Sequence, residues 1–492
     1  MKQIYSEKHR PQFHFSPKEK WMNDPNGMVY FNGEYHLFYQ FHPFGITWGP
    51  MHWGHAVSKD LIHWEQLPIA LYPDEHGAIF SGSAVVDWNN TTGFFENAPG
   101  LVAIYTSADN YPESDRPRQR QSLAYSSDNG RTWTKYEGNP VLSDVAITDY
   151  RDPKVFWHQE TEKWVMVLAT GQSVTIYTST DLKEWKFASE FGNHAGSHDG
   201  VWECPDLFEL PVNGDENNQK WVMFVSIGDN HEFKEGSRTQ YFIGAFDGTT
   251  FHNENPDEKV LWLDYGRDNY AGVSWSDIPS KDGRRMYIGW MSNWRYANQV
   301  PTEGWRSAMT LPRELSLTAS EIGVRVIQKV VSEINVIRNG SESYKDLTIE
   351  SNQTKTFTMV SPLIEVNIAF EKQTSTSFGI VFQSSNDEKI GIRYDVEKEL
   401  LLVDRTKAGE NSFSESFSTV QEAPLKMEND RIKLQIIIDA SSIEVFANDG
   451  KAALTSLIFP NRPYEQMALF SNEGSTLVSS LSLTELNSIW DK

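Results

Sequence analysis

The stretch Ala56-Val57-Ser58-Lys59-Asp60, followed after a short turn by Trp64, decides the fold because it recurs. It returns as Ala124-Tyr125-Ser126-Ser127-Asp128 leading to Trp133, and as Ile176-Tyr177-Thr178-Ser179-Thr180-Asp181 leading to Trp185. A weaker copy runs from Gly244-Ala245-Phe246-Asp247 to Phe251. Each copy reads as an outer β-hairpin whose Asp-containing turn precedes an aromatic that plugs the gap between sheets. Repeats of this size, each a few short strands, are the pattern of propeller blades. About four copies are legible. In a propeller each blade sends its innermost strand to the central channel, so residues far apart in sequence converge on one funnel.

The stretch ahead of the first copy is Trp21-Met22-Asn23-Asp24-Pro25-Asn26-Gly27. Pro25 removes an amide donor and pushes Asp24 towards an extended backbone. Asn26-Gly27 reads as a tight turn, and Met28 to Tyr39 as a strand-like run with an Asn32-Gly33 hairpin signal. Asp24 is therefore expected at the mouth of a β structure, held by a stiff turn. Taken alone, the same residues also read as an ordinary Asx-type turn.

After Pro312-Arg313-Glu314 the texture changes: Trp, frequent before, recurs only at Trp490. Val324 to Val336 is a mixed apolar segment, read as a linker of short helix or strand. Beyond it, alternating runs at Leu363–Phe370, Phe378–Phe382, Ile390–Tyr394, Leu400–Val403, Ile432–Ile438 and Ile443–Phe446 indicate half-buried strands, and Asn448-Asp449-Gly450 a hairpin turn. The expected organisation is all-β: a propeller over 1–322, a linker over 323–340 and a β-sandwich over 341–492. The sandwich carries no catalytic constellation. It reads as a structural module packed on the propeller, with sugar binding or a homodimer contact as alternatives.

Composition narrows the partners. The chain has 492 residues, 39% of them hydrophobic, and a formal net charge of −23; its mean hydropathy is −0.51. That balance argues against nucleic acid and anionic membrane surfaces, which need a basic footprint. It suits a neutral ligand better than a phosphorylated one. Aromatics make up 13%, with 17 Trp, most for packing and a few as platforms for sugar rings. A single cysteine, Cys204, excludes an intrachain disulfide. Met1 to Arg10 has no apolar h-region, and no apolar run approaches the roughly 20 residues of a membrane span. The expectation is a cytoplasmic protein, or a secreted one whose signal is absent from this sequence.

Two further stretches join the first: Tyr150-Arg151-Asp152-Pro153 and Trp202-Glu203-Cys204-Pro205-Asp206. In this order and at this spacing, the three resemble the motifs of glycoside hydrolase family 32, the invertases, levanases and exo-inulinases. The resemblance covers essentially the whole chain. Tyr35 to Gln40, Trp48 to His55 and Trp202 to Leu210 bring it nearest to the bacterial levanases and exo-inulinases. It implies a five-bladed propeller followed by a sandwich, five being the family's count rather than a reading of the repeats.

Glycosidic cleavage needs two carboxyl groups flanking the bond, one an acid and one a nucleophile or base. The resemblance implies Asp24 as nucleophile, Glu203 as acid/base and Asp152 as transition-state stabiliser. Asp24 would stay ionised through backbone and amide donors, and the apolar neighbours Trp202 and Cys204 suit an acid at Glu203. Arg151 would offset one of three negative charges. Sugar contacts carried over by motif are Asn23, Gln40, Trp48, Phe80, Ser81, Tyr270 and Trp290. The implied activity is a retaining exo-β-fructosidase acting on levan, inulin, fructo-oligosaccharides or sucrose, with no metal or organic cofactor. Alternatives are a sucrose-6-phosphate hydrolase, a fructosyltransferase on the same scaffold and a silent, lectin-like fructan-binding protein. Cys204 as a nucleophile lacks an activating helix end or cation and reads as a buried small hydrophobe. His52 and His55 would face opposite ways along a strand, against a metal site.

Overall fold

The computed structural model describes residues 5–96 and 98–490; Met1 to Ile4, part of the leader reading, lie outside them. The repeats resolve into a five-bladed β-propeller, followed by a β-sandwich. Blade 1 is built from Lys20–Phe31, Glu34–His42, His52–Ser58 and Trp64–Leu71, antiparallel in that order. Blade 2 opens with Ala78–Asp87, blade 3 with Tyr150–His158 and blade 4 with Trp202–Val212. Blade 5 consists of Tyr270–Ser274, Arg285–Met291, Arg313–Ser320 and Gly323–Val330. The ring closes where Trp305–Arg306 pairs in parallel with Lys20 and Trp21 at the start of blade 1.

The repeated turn has one construction. Asp60 Oδ1 accepts the amides of Ile62 and His63, and Trp64 Nε1 donates to Leu61 O at 3.1 Å. Asp181 Oδ1 caps Lys183 and Glu184, and Trp185 donates to Leu182 O at 2.9 Å. In blade 2, Trp133 donates to Gly130 O at 3.0 Å. The residue accepting the indole has positive φ each time: Leu61 at 64°, Leu182 at 63° and Gly130 at 75°. The Asp side chain therefore satisfies the turn amides while the Trp ring locks the tip.

The expected linker over 323–340 is ordered structure. Gly323–Val330 is the fourth strand of blade 5, paired antiparallel and residue for residue with Arg313–Ser320. Ser332–Ile337 is a 3-10 turn, and the first sandwich strand starts at Arg338. The sandwich has two six-stranded sheets. One runs Arg338–Ile349, Thr476–Leu486, Ile364–Lys372, Arg431–Asp439, Ser442–Ala447, Ala452–Leu457. The other contains Ser377–Ser384, Lys389–Asp395 and Leu400–Lys407. Between them lies a core of aliphatic residues with Phe370, Phe378 and Phe382. Ala452–Leu457 is an edge strand, and it faces the propeller.

Candidate active site

All five innermost strands carry the same irregularity. In blade 1, Met22 pairs with Phe41 but Pro25 pairs with Tyr39, so three steps on the inner strand oppose two on its neighbour. The same extra residue falls between Ile79 and Gly82, Arg151 and Lys154, Glu203 and Asp206, and Tyr270 and Val273. Bulges of this kind unpair a residue and re-aim side chains. Here they unpair or flank Asn23, Asp24, Phe80, Ser81, Arg151, Asp152, Glu203 and Tyr270. Asp152 (φ 64°), Cys204 (45°) and Ala271 (53°) sit in the left-handed region at these bulges, a strain of the kind that clusters at functional sites.

The consequence is one pocket of about 720 Å³ on the propeller axis, lined among others by Asn23, Asp24, Gln40, Trp48, Phe80, Ser81, Arg151, Asp152 and Glu203. Asp24 is 9% exposed. Ser81 Oγ donates to its Oδ2 at 2.6 Å and Asn23 Nδ2 to its Oδ1 at 3.0 Å. Asn23 is oriented in turn by Trp21 Nε1, which donates to its Oδ1 at 2.7 Å. The donors expected for Asp24 are present, yet burial outweighs them. Together with the charge of Glu203, it holds the Asp24 carboxyl above the usual range. Asp152 is also raised, by burial first and by Glu203 and Asp24, against the pull of Arg151.

Arg151 ties the acids together. Its Nη1 donates to Asp149 Oδ1 at 2.5 Å, its Nη2 to Glu203 Oε1 at 2.9 Å, and its Nε lies 3.8 Å from Asp152 Oδ2. Burial opposes its charge, but Glu203, Asp152 and Asp149 overcome that and keep it a cation. The surroundings of Glu203 are thus more polar than Trp202 and Cys204 suggest: a guanidinium binds one oxygen and the Tyr270 phenol donates to the other. Burial and the Glu203 charge hold that phenol well above its usual pKa, so it remains a donor.

Cys204 does more than fill space. Its thiol lies 3.6 Å from Oδ2 of both Asp24 and Asp152, and its backbone N–H donates to Asp152 Oδ2 at 3.1 Å. Burial and the surrounding carboxylates push the thiol well above its usual pKa, which removes it as a nucleophile.

Gln40 donates to Asn26 Oδ1 at 2.9 Å and to Ile79 O at 3.0 Å, bracing the floor between blades 1 and 2. Trp48, 48% exposed, stands at the rim edge-on to Phe80. Of the expected contacts, Tyr270 and Trp290 do not line the pocket; the Tyr270 hydroxyl still reaches Glu203, but Trp290 does not. It is fully buried, edge-on to Tyr270 and packed on Trp21 and Trp294, and it does not reach the pocket wall. Trp294, in the turn that follows the strand ending at Met291, lines the pocket in its place. Gln119 and Asp149, absent from the motif reading, also line the pocket and bind Arg151.

Carboxyl groups converging in one pocket are what glycosidic cleavage requires. The chain matches the glycosyl hydrolases family 32 N-terminal domain over residues 14–329 and the family 32 C-terminal domain over 333–485. The chain belongs to glycosyl hydrolase family 32. It is 54% identical to the levanase of Bacillus subtilis (strain 168), covering 99% of this chain and 72% of that one. It is 39% identical to the extracellular exo-inulinase of Aspergillus awamori, over 99% and 96% of the two chains. The crystal structure of that exo-inulinase superposes with a TM-score of 0.89 at 38% identity, covering 99% and 100%. The β-fructofuranosidase of Schwanniomyces occidentalis complexed with fructosyl-erythritol gives 0.89 at 33%, covering 99% of each chain. No helix among the described residues is long and apolar enough to cross a membrane.

Proposed function

We propose that the chain is a retaining exo-β-fructosidase releasing terminal fructofuranosyl units from levan, inulin, fructo-oligosaccharides or sucrose. The observation that carries this reading is the meeting of Asp24, Asp152 and Glu203 in a single axial pocket, with Arg151 beside Asp152 and Glu203. The names of the relatives support the fructan substrate.

In the first step the Asp24 carboxylate attacks the anomeric carbon of fructose. The bond from that carbon to the leaving oxygen breaks, and the oxygen takes the proton of Glu203. The product is a fructosyl ester on Asp24. In the second step Glu203 removes a proton from water, the water oxygen attacks the same carbon, and the ester breaks to regenerate Asp24. Asp152 accepts hydrogen bonds from ring hydroxyls and adds negative charge beside an oxocarbenium-like transition state. Arg151 offsets part of that charge and keeps the acids assembled.

A phosphorylated substrate fits less well. Among the described residues lining the pocket, Arg151 is the only cation, and three carboxyl groups already engage it. Product analysis with levan, inulin and sucrose offered separately tests the reading. Free fructose as the sole early product supports it. Shorter oligosaccharides mean endo cleavage, longer ones mean transfer, and no product from any of the three rejects it. Fractionation of the natural full-length protein decides between the cytoplasmic location expected from sequence and the extracellular location in the name of the Aspergillus relative.

A further inference from the structure

The Tyr270 phenol reaches Glu203 from the first residue of blade 5. The six residues before it, Asp264 to Asn269, are held mostly by the sandwich. Its edge strand Ala452–Leu457 accepts this loop like an additional strand. Tyr265 N donates to Ala453 O at 2.8 Å and Asp268 N to Thr455 O at 3.1 Å. A Cβ at Gly266 would lie 2.1 Å from Thr455 O, so only glycine permits this approach.

Two buried aspartates pin the loop at either end. Asp264 accepts Thr455 N at 2.8 Å and Thr455 Oγ1 at 2.6 Å, together with Arg313 Nη1 at 3.1 Å. It also accepts Asn269 Nδ2 at 3.1 Å, one residue before Tyr270. Asp268 accepts Leu457 N at 2.8 Å and Arg405 Nη1 at 2.5 Å, while its other oxygen accepts the Tyr296 hydroxyl at 2.6 Å. Arg405, Asp264 and Asp268 are all buried. Charged groups so deep hold one geometry, because a broken pair leaves an uncompensated charge.

We propose that the sandwich sets the position of the Tyr270 phenol on Glu203, with Arg405 and Thr455 as positioning residues for the acid/base. The inference rests on the reading of Glu203 as acid/base. The sandwich is then a working part of the site. A shift of the loop would misdirect the Tyr270 donor and let the Glu203 carboxyl turn from the leaving oxygen. Misplacement of a catalytic group by about 1 Å costs on the order of a hundredfold in rate.

The test uses Arg405→Lys and Thr455→Val, each alone and combined with Tyr270→Phe, in the full chain. Two substrates are compared by kcat/KM: sucrose, whose leaving group needs a proton, and fructosyl fluoride, whose leaving group does not. Thermal unfolding identifies folded variants, and Thr455→Val, nearly isosteric, serves if Arg405→Lys does not fold. The expected result is a roughly tenfold to hundredfold loss on sucrose, a much smaller loss on fructosyl fluoride, and little further loss once Tyr270 is Phe. Equal losses on both substrates, no loss on sucrose in a folded variant, or losses that simply multiply with that of Tyr270→Phe would overturn it. Glu203→Ala run alongside keeps the two readings apart: full sucrose turnover in that variant contradicts the acid/base assignment itself.

Discussion

Ser81 Oγ donates a 2.6 Å hydrogen bond to Asp24 Oδ2, joining the bulges of blades 1 and 2. It is the largest influence favouring the ionised form of a carboxyl that burial and Glu203 push the other way. Ser81→Ala removes that donor, so the Asp24 carboxyl rises further. In the proposed mechanism Asp24 attacks as the carboxylate, and the acid limb of kcat/KM should therefore move to higher pH. A hydrogen bond to a charged group contributes about 1.5 kcal/mol, equivalent to roughly one pH unit. A pH–rate profile with an unmoved acid limb would contradict the assignment of Asp24.

The same carboxyl costs stability. Its pKa is higher in the fold than in the unfolded chain. The folded state therefore binds more protons through that window, and stability falls as pH rises across it. Asp24→Asn removes the penalty. At neutral pH its melting temperature should exceed that of the unaltered protein. The difference should shrink towards zero as pH drops below the ordinary carboxylate range. Equal melting curves at neutral pH would show that the burial cost is compensated elsewhere.

Cys204 should be inert in the native protein. It is buried, and its thiol is held well above its usual pKa. Incubation with iodoacetamide at neutral pH should leave activity intact and the cysteine unlabelled, whereas unfolded chain should label. Rapid inactivation with labelling of Cys204 would mean that the pocket opens far more than its geometry implies.

Trp48 stands half-exposed at the rim and touches neither Asp24 nor Glu203 by hydrogen bond. Trp48→Ala should chiefly raise KM, by about tenfold for a lost stacking contact of roughly 1–1.5 kcal/mol, with a smaller change in kcat. A kcat that falls as far as kcat/KM would place Trp48 in the transition state rather than in ground-state binding.

What was legible in the sequence follows from how local each signal is. The Ser-x-Asp turn with its trailing Trp is built within a few residues, so blades 1 to 3 could be read directly. Blade 5 could not. Its two outer strands, Arg313–Ser320 and Gly323–Val330, follow a long excursion after Met291 and lack that turn, which is why Gly323–Val330 read as linker. The five bulges were equally hidden, because register belongs to a pair of strands and not to one. Asp24, Asp152 and Glu203 stand out in the sequence through their motifs. The guanidinium of Arg151 reaches Glu203 only when blades 3 and 4 meet across 52 residues. Trp290 was misplaced for a simpler reason. By its motif Trp290 reads as a pocket aromatic, and only packing on Trp21 and Tyr270 shows that it lies behind the wall.

The most direct measurement uses Glu203→Ala with fructosyl fluoride. The fluoride leaves without an acid, and without Glu203 no base activates water, so the covalent intermediate should accumulate. Peptide mass spectrometry after acid quench should then find one fructosyl unit on the peptide containing Asp24, released again by added azide as fructosyl azide. Fluoride release with Asp24 unmodified, or the label on Asp152, would contradict the account.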